Sequence, residues 1–346
     1  MPALKPAIFE QIVLILDHVY GAFSGPAWAP KPYSDNKSRY LWTDAFGVIN
    51  YLNLYLESKE DKFLNQAKAL VRQVHEVLGR TRDGKSRLPG ATKDHPLMGG
   101  LRIGKPQEEG SGMSQDGQYY HYLTKWMFAL NRLALVSRDP IYNQWAAELA
   151  KAVHWKFTYG SAGDRRMYWK LSVDLSRPLV KSEGQGDPFC GLVVYRLIDA
   201  DSGKLDKEIA DLQEMVDSRY TRYDTDDTLG IGSTLWLTSW FPGEPWSQHL
   251  QKVSVAGAER WWKSQEYKGS VDQRLAFREF GLTIGVQLFP ELMSHCWSSR
   301  VEQLHHFWGP SVRLYSRDED ITPVMYCTSL YPGVFGPGAA LPEPGN

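Results

Sequence analysis

The chain has 346 residues, with 39 basic and 40 acidic side chains and a formal net charge of −1. This length suits one large domain or two ordinary ones. The sequence lacks the basic stripe of a nucleic-acid-binding protein, and its apolar runs are shorter than the roughly 18 residues that span a membrane. We therefore expect a globular protein with neither nucleic acid nor membrane as a partner.

The three cysteines, Cys190, Cys296 and Cys327, do not share a metal-ligand spacing, and their number is odd. Reduced thiols of this kind are typical of the cytoplasm. The N-terminal segment lacks the apolar core of a secretory signal, because Glu10 and Asp17 bracket its apolar residues. The sequence therefore predicts a cytoplasmic protein, and it predicts neither a metal nor another cofactor.

The first helices alternate between two apolar patterns. Residues 7–23 form the first predicted helix. Residues 42–57 are apolar on every side, which predicts a buried helix. Residues 60–78 follow almost at once with a single apolar stripe, which predicts a surface helix. A buried and a surface helix joined by about three residues form an antiparallel hairpin.

The same pairing recurs along the chain. The next predicted pairs are 116–137 with 140–157, 188–200 with 204–220, 228–241 with 246–265, and 273–289 with 297–308. The apolar stretch 322–331 adds a sixth buried helix, with the first helix as its outer partner. This alternation predicts an all-α fold of six helical hairpins in a single domain over residues 1–331, followed by a loose Gly/Pro-rich tail at 332–346.

Two connections are long, at residues 80–115 and 159–186. Loops of this length are uncommon in a compact domain unless they have a function. Residues 167–174 alternate like a strand, which predicts a small β-hairpin in the second loop. Each loop leads into the front end of a buried helix. If the buried helices run parallel, their N-terminal ends meet at one mouth rich in acids, tryptophans and a histidine.

Several segments resemble the six-hairpin, or (α/α)6-toroid, sugar enzymes, a superfamily that contains glycoside hydrolases and the N-acylglucosamine 2-epimerase group. The segments are residues 40–46, 99–105, 116–126, 174–178 and 274–279. The likeness is to a poorly characterised branch and extends over nearly the whole chain. It implies an active site in the funnel made by the N-termini of the inner helices, although a fold alone does not define the chemistry.

Four acids are candidates for catalytic carboxylates: Asp116 and Asp187 first, with Glu279 and Asp44 in reserve. Hydrolysis of a glycosidic bond uses two carboxyl groups, one as proton donor and one as base or nucleophile. Each acid also has a structural interpretation. Asp44, Asp116 and Asp187 can cap a helix or complement its dipole, and Glu279 can pair with another buried charge.

Eight further side chains are candidates for substrate binding. The aromatic side chains would stack on a sugar ring, and the others would bind hydroxyls or a carboxylate. They are Trp42, Tyr119, Tyr120, Trp169, Arg102, His121, Arg177 and Arg278. His121 also has the alternative of a satisfied core histidine.

The expected function is that of a carbohydrate-active enzyme that hydrolyses a glycosidic bond in a small saccharide substrate. One alternative is a sugar epimerase or isomerase that uses His121 as base. Another is a non-catalytic module that binds a sugar or another small molecule. A third is a magnesium-dependent, terpene-cyclase-like enzyme, which an aromatic mouth with acids would also fit. Separately, the spacing of Asp224, Asp226 and Asp227 suggests a metal site, although it lacks the glycine and the later glutamate of a calcium loop.

Overall fold

The computed structural model describes residues 4–33, 39–200, 202–312, 319–339 and 341. Their regular structure is mainly helical. The helices are α1 (Pro6–Tyr20), α2 (Leu41–Ser58), α3 (Asp61–Leu78), α4 (Tyr120–Ser137), α5 (Ile141–Phe157), α6 (Asp187–Ile198), α7 (Asp206–Arg219), α8 (Thr228–Trp240), α9 (Pro245–Ser264), α10 (Ala276–Val286), α11 (Pro290–Leu292), α12 (Ser298–Trp308) and α13 (Ile321–Leu330). None of these described helices is both long enough and apolar enough to cross a membrane.

The chain forms two compact units. One comprises residues 20–216 with 341–346, and the other comprises residues 1–19 with 217–340. In the first unit, α2 is buried without interruption from Leu41 to Leu54, and it packs against α3 and α4. Helix α4 packs in turn against α5 and α6. The alternation of buried and surface helices is the one that the apolar patterns predict.

The first unit also contains short strands, and because of them α4 begins later in the chain than predicted. The strands are β1 (Gln107–Glu109), β2 (Gln115–Asp116), β3 (Gln118–Tyr119), β4 (Thr158–Tyr159), β5 (Arg166–Met167), β6 (Lys170–Leu171) and β7 (Pro178–Val180). Helix α4 begins at Tyr120, and the predicted start at Asp116 is wrong, because Gly117 adopts a φ of 148° between two strand segments. The predicted hairpin is present as β6 and β7, and β3 pairs with β6.

In the second unit, α8 and α10 pack with their backbones in close contact. A Cβ atom on Gly232 would lie 2.0 Å from the carbonyl oxygen of Gly281, and one on Gly285 would lie 2.4 Å from that of Gly232. Helix α8 also packs against α9, and α10 packs against α13. Glycine is therefore required at this crossing, since a side chain would force the helices apart.

The segment after α13 begins with an ordered turn. Val334 and Phe335 are buried, and the indole nitrogen of Trp236 donates to the carbonyl oxygen of Phe335 at 2.8 Å. The rings of Trp236 and Phe335 stack with centroids 4.8 Å apart. The prediction of a loose segment is wrong at these residues, because the packing of an aromatic ring holds them. Residues 340 and 342–346 of the predicted tail lie outside the described residues.

Replacing Gly232 by Ala tests the crossing of α8 and α10. Alanine favours a helix over glycine by about 1 kcal/mol, yet here its methyl group meets the backbone of α10. We expect a net loss of about 1–3 kcal/mol in the free energy of unfolding, measured by urea titration. Gly243→Ala is the control, since no described atom lies within 4 Å of its Cβ position. Equal stability of Gly232→Ala and wild type would contradict the proposed contact.

Candidate active site

Asp116 is held by cations and backbone donors. Its carboxylate is fully buried. One oxygen accepts from Arg102 at 2.5 Å and from Arg82 at 2.9 Å, and the other accepts from the backbone N–H of Gly104 at 3.0 Å and of Gly117 at 3.1 Å. These donors occupy the lone pairs that an acid–base catalyst would use. The environment favours a structural role for Asp116 and Arg102 over the predicted catalytic and substrate-binding roles.

Asp44 lies in the first turn of α2 and is fully buried. It accepts a hydrogen bond from the hydroxyl of Tyr33 at 2.5 Å, and its second oxygen lies 3.5 Å from the guanidinium of Arg39. The same guanidinium lies over the ring of Tyr33, 4.4 Å from its centroid. The charge of Asp44 is therefore compensated by a buried cation.

Glu279 and Arg278 belong to the unit that contains α8 and α10. Glu279 accepts two hydrogen bonds from Arg274, at 2.7 and 2.6 Å, and a third from the indole of Trp308 at 2.8 Å. Arg278 pairs with Asp227, which caps α8 by accepting from the N–H of Gly230 at 2.9 Å. These contacts favour the structural interpretation of both residues, in which they stabilise the starts of α10 and α8.

Asp187, the first residue of α6, has a different environment. Its side chain is 5% exposed, and one carboxyl oxygen lies 3.7 Å from Nδ1 of His121. This separation is too long for a hydrogen bond. Among the described residues, neither Oδ2 of Asp187 nor Nδ1 of His121 has a hydrogen-bond partner. Asp187 and His121 thus lie side by side without a hydrogen bond between them.

Burial sets the protonation of both groups. It raises the pKa of Asp187 to about 8, and the cation of Lys125 opposes this shift while the nearby Glu183 adds to it. Burial and then Lys125 lower the pKa of His121 to about 3. At neutral pH the pair is therefore a protonated carboxylic acid beside a neutral imidazole. Because the His121 side chain is still 24% exposed, part of its ring remains accessible.

Aromatic rings surround His121. Tyr119 stacks on His121 at 5.4 Å and on Trp169 at 5.1 Å, and the rings of His121 and Trp169 are nearly parallel. Trp42 lies 6.0 Å from His121, measured between ring centroids. Pairing of Tyr119 in β3 with Lys170 in β6 positions the neighbouring Trp169. The predicted residues Trp42, Tyr119, His121, Trp169 and Asp187 thus form one cluster.

Two other predicted binding residues lie outside this cluster. Tyr120 is fully buried and packs against Phe157, with ring centroids 5.4 Å apart. Arg177 is 60% exposed and pairs with Glu109 at 2.7 Å, which ties the second long loop to the first. These positions favour a core role for Tyr120 and a loop-bracing role for Arg177.

The sequence analysis missed Lys125, Cys190 and Tyr122. Lys125 follows His121 by four residues, and its ammonium lies 3.6 Å from the Cys190 thiol on α6. Tyr122 packs edge-on against His121 at 4.7 Å and donates to or accepts from the hydroxyl of Tyr40 at 2.6 Å. The spacing of a lysine four residues after a histidine in an apolar helix was the available signal.

The acids considered for a metal site pair with arginines. Asp224 and Asp226 both bind Arg260, at 3.1 and 3.0 Å, and Asp227 binds Arg278. Within the described part of the chain, no cluster of three His, Cys, Asp or Glu side chains has the arrangement of a metal site.

All three cysteines are free thiols.

Comparisons with known proteins define the fold. No protein-family model matches the chain, and no curated protein matches it. Among solved structures, it is similar to a family 76 glycoside hydrolase from a bovine Bacteroides thetaiotaomicron strain, with 13% identity, a TM-score of 0.62, and coverage of 95% of this chain and 76% of that chain. It is also similar to a D-mannose isomerase, with 11% identity, a TM-score of 0.58, and coverage of 97% and 99%.

A third similar structure is the cellobiose 2-epimerase of Spirochaeta thermophila DSM 6192, with 12% identity, a TM-score of 0.55, and coverage of 95% of this chain and 98% of that one. These structures have the (α/α)6-toroid fold of the six-hairpin glycosidase-like superfamily, and this chain has the same fold. The predicted fold class is confirmed. At such low identity the likeness defines the fold alone, and the chemistry has to be argued from the site.

Replacing Asp116 by Asn separates structure from catalysis. The variant leaves two guanidinium groups facing a neutral amide, so we expect the free energy of unfolding to fall by about 3–5 kcal/mol. Urea titration measures this loss. Asp164→Asn is the control, because Asp164 is 75% exposed and pairs with Arg166 at the surface. A fully stable Asp116→Asn protein that loses turnover would instead restore the catalytic interpretation.

The raised pKa of Asp187 predicts a pH-dependent cost in stability. The unfolded chain releases this proton near pH 4, whereas the folded chain keeps it to about pH 8. The stabilising effect of the protonated form is thus complete below pH 4 and is lost as the pH rises towards 8. Between pH 4 and pH 8, the free energy of unfolding of Asp187→Asn should rise by about 3–5 kcal/mol relative to that of wild type. Urea titrations from pH 4.5 to 8.5 measure the difference, and parallel curves would contradict it.

Proposed function

We propose that this protein is a carbohydrate-active enzyme that moves a proton at the carbon beside a sugar carbonyl, as a sugar isomerase or epimerase does. The observation that carries the proposal is the pairing of His121 with Asp187. A neutral base and a protonated acid lie 3.7 Å apart at the starts of α4 and α6. Isomerisation and epimerisation require one group to accept a proton from carbon and another to donate a proton to oxygen.

In the proposed reaction His121 accepts the proton from the carbon, and Asp187 donates its proton to the carbonyl oxygen. The substrate becomes an enediol, the imidazole becomes an imidazolium, and the carboxyl becomes a carboxylate. The reverse transfers then return one proton to carbon and one to Asp187. Return of the proton to the neighbouring carbon, with Asp187 taking the hydroxyl proton from the original carbon, gives the isomer. The epimer forms when the enediol turns so that His121 returns the proton to the opposite face of the original carbon.

Before the reaction, the low pKa of His121 makes its ring a weak base. The two transfers together create opposite charges 3.7 Å apart, so each ion stabilises the other. Two unit charges at about 4 Å attract by about 4 kcal/mol in an environment of intermediate dielectric. This energy corresponds to about three pKa units. The pKa of His121 therefore rises towards neutral pH when Asp187 gives up its proton.

The aromatic rings beside the pair support a saccharide substrate. Tryptophan and tyrosine offer flat apolar faces with a polar edge, which suits a sugar ring. Trp169 is only half-buried and presents its ring next to Tyr119 and His121. The isomerase and the epimerase among the similar structures agree with this substrate class.

Hydrolysis is the second candidate. A protonated, buried carboxyl such as Asp187 is also what donates a proton to a glycosidic oxygen. The predicted partners for hydrolysis are less favourable, since Asp44, Asp116 and Glu279 are each held by an arginine. The glycoside hydrolases among the similar structures keep this alternative open to experiment.

Product analysis tests the proposal. Aldoses, ketoses and disaccharides incubated in D2O should acquire deuterium at the carbon beside the carbonyl, detected by NMR, with no addition of water to the product. His121→Asn and Asp187→Asn should each lower kcat by about 10²–10⁴-fold. His306→Gln, at an exposed position on α12, is the control and should retain wild-type turnover.

Other outcomes identify the alternatives. Cleavage of glycosides with addition of water, lost in Asp187→Asn and retained in His121→Asn, would replace the proposal by hydrolysis. Saccharide binding without turnover of any substrate would indicate the non-catalytic module.

A further inference from the structure

The first unit contains a cavity that the proposed reaction does not use. It has a volume of about 330 Å³ and lies where the end of α3 and the loop after it meet residues 102–105. Neither His121 nor Asp187 lines it. Its volume is within the range of sites that bind small molecules. The cavity is therefore a candidate binding site separate from the pair.

The side chains that line this cavity carry an excess of positive charge. Five of them are cationic: Arg39, Arg80, Arg82, Arg102 and Lys105. Two are acidic, namely Glu76 and Asp83. The chain as a whole has a net charge of −1, so the three surplus positive charges of the lining are a local feature.

One cluster of ion pairs contributes to the excess through a shared carboxylate. Arg82 and Arg102 both contact Asp116, at 2.9 and 2.5 Å, so one positive charge remains after pairing. Arg102 is 8% exposed, and it also donates to the carbonyl oxygens of Val77 and Arg80, at 3.0 and 2.7 Å. The backbone therefore fixes this charge beside the cavity.

A second cluster has the same arrangement. Arg80 contacts one carboxylate oxygen of Glu76 at 2.9 Å, and Arg87 contacts the other at 3.1 Å, so a second positive charge remains. A guanidinium has five N–H donors, and Arg80 uses two of them on Glu76. Three donors of Arg80 are therefore available to a ligand.

The other acids beside the cavity do not remove the excess. Asp44 pairs with Arg39 at 3.5 Å, and Asp83 pairs with Lys85 at 3.7 Å. Each of these pairs is neutral. Among the described residues, the charge left by the two clusters is thus not offset by a further carboxylate of the lining.

We propose that this cavity binds a phosphate group, either as free inorganic phosphate or as the phosphate ester of a small molecule. A phosphate monoester has a charge of about −1.5 to −2 at neutral pH and three acceptor oxygens, which matches the charge of the two clusters. Guanidinium groups bind phosphate through paired N–H donors. A carboxylate ligand would bring a single negative charge and match them less well. The site lies beyond the proposed reaction and does not rest on it.

Titration with inorganic phosphate at constant ionic strength, followed by isothermal calorimetry, tests the site. Wild type should bind one phosphate per chain in a saturable manner. Arg80→Gln should bind it about 10–100-fold more weakly, because the variant removes donors and one charge. The carbonyl oxygen that accepts from Arg102 is retained in this variant. If Arg80→Gln does not fold, Lys105→Gln removes a charge from the same lining.

Arg166→Gln is the matched control. Arg166 belongs to the same unit, is 52% exposed and pairs with Asp164 at the surface. It should bind phosphate as wild type does. Equal affinities of folded Arg80→Gln and Arg166→Gln would overturn the assignment, because the cavity would then not be where phosphate binds. Absence of saturable binding in wild type would overturn it too.

Glucose 6-phosphate and glucuronate identify the kind of anion. Tighter binding of glucose 6-phosphate than of inorganic phosphate, weakened in Arg80→Gln, assigns the cavity to a phosphorylated small molecule. Equal or weaker binding of the ester assigns it to the free anion. Preference for glucuronate over both phosphates overturns the phosphate site in favour of a carboxylate site. Because binding is measured without turnover, these outcomes are independent of the proposed roles of His121 and Asp187.

Discussion

Burial of Asp187 and His121 at the starts of α6 and α4 is the constraint on which the candidate site depends. A carboxyl and an imidazole in bulk water would both be charged or nearly so at slightly acidic pH, and neither would differ from a surface residue. Between these helices the charged form of each is disfavoured, and their pKa values move apart. The helix dipole at the start of α6 favours a carboxylate at Asp187, but desolvation outweighs it.

The buried acids of this chain fall into two groups, and the difference separates structure from chemistry. Asp44, Asp116 and Glu279 each face an arginine, and their hydrogen bonds fix a loop or a helix end. Asp187 faces a neutral ring and a lysine that also approaches a thiol. A carboxylate that accepts hydrogen bonds on both oxygens, as Asp116 and Glu279 do, has little capacity left for proton transfer. Among these acids, Asp187 therefore has the environment that the proposed proton transfer requires.

The helices and their alternation follow from apolar periodicity, which is a local property of the sequence. Roles of single acids do not follow from it. Asp116 and Asp187 both lie at the start of a predicted buried helix, and the sequence does not distinguish them. The difference arises from Arg82 and Arg102, which reach Asp116 from 34 and 14 residues away. The spacing of Lys125 after His121 is visible in the sequence, but its contact with Cys190, 65 residues away, is not.

The register between β3 and β6 has a consequence for how this protein could change its ligand. Trp169 precedes Lys170, and Lys170 is paired with Tyr119 at the entrance of α4. A shift of this pairing by one residue would turn the side chains to the opposite face of the ladder. Trp169 would then lose its stacking with Tyr119 and His121. The turn between β4 and β5 is free of that restriction, since it is exposed and joins a separate two-stranded ladder. Changes in chain length are therefore better tolerated at residues 160–165 than around residue 170.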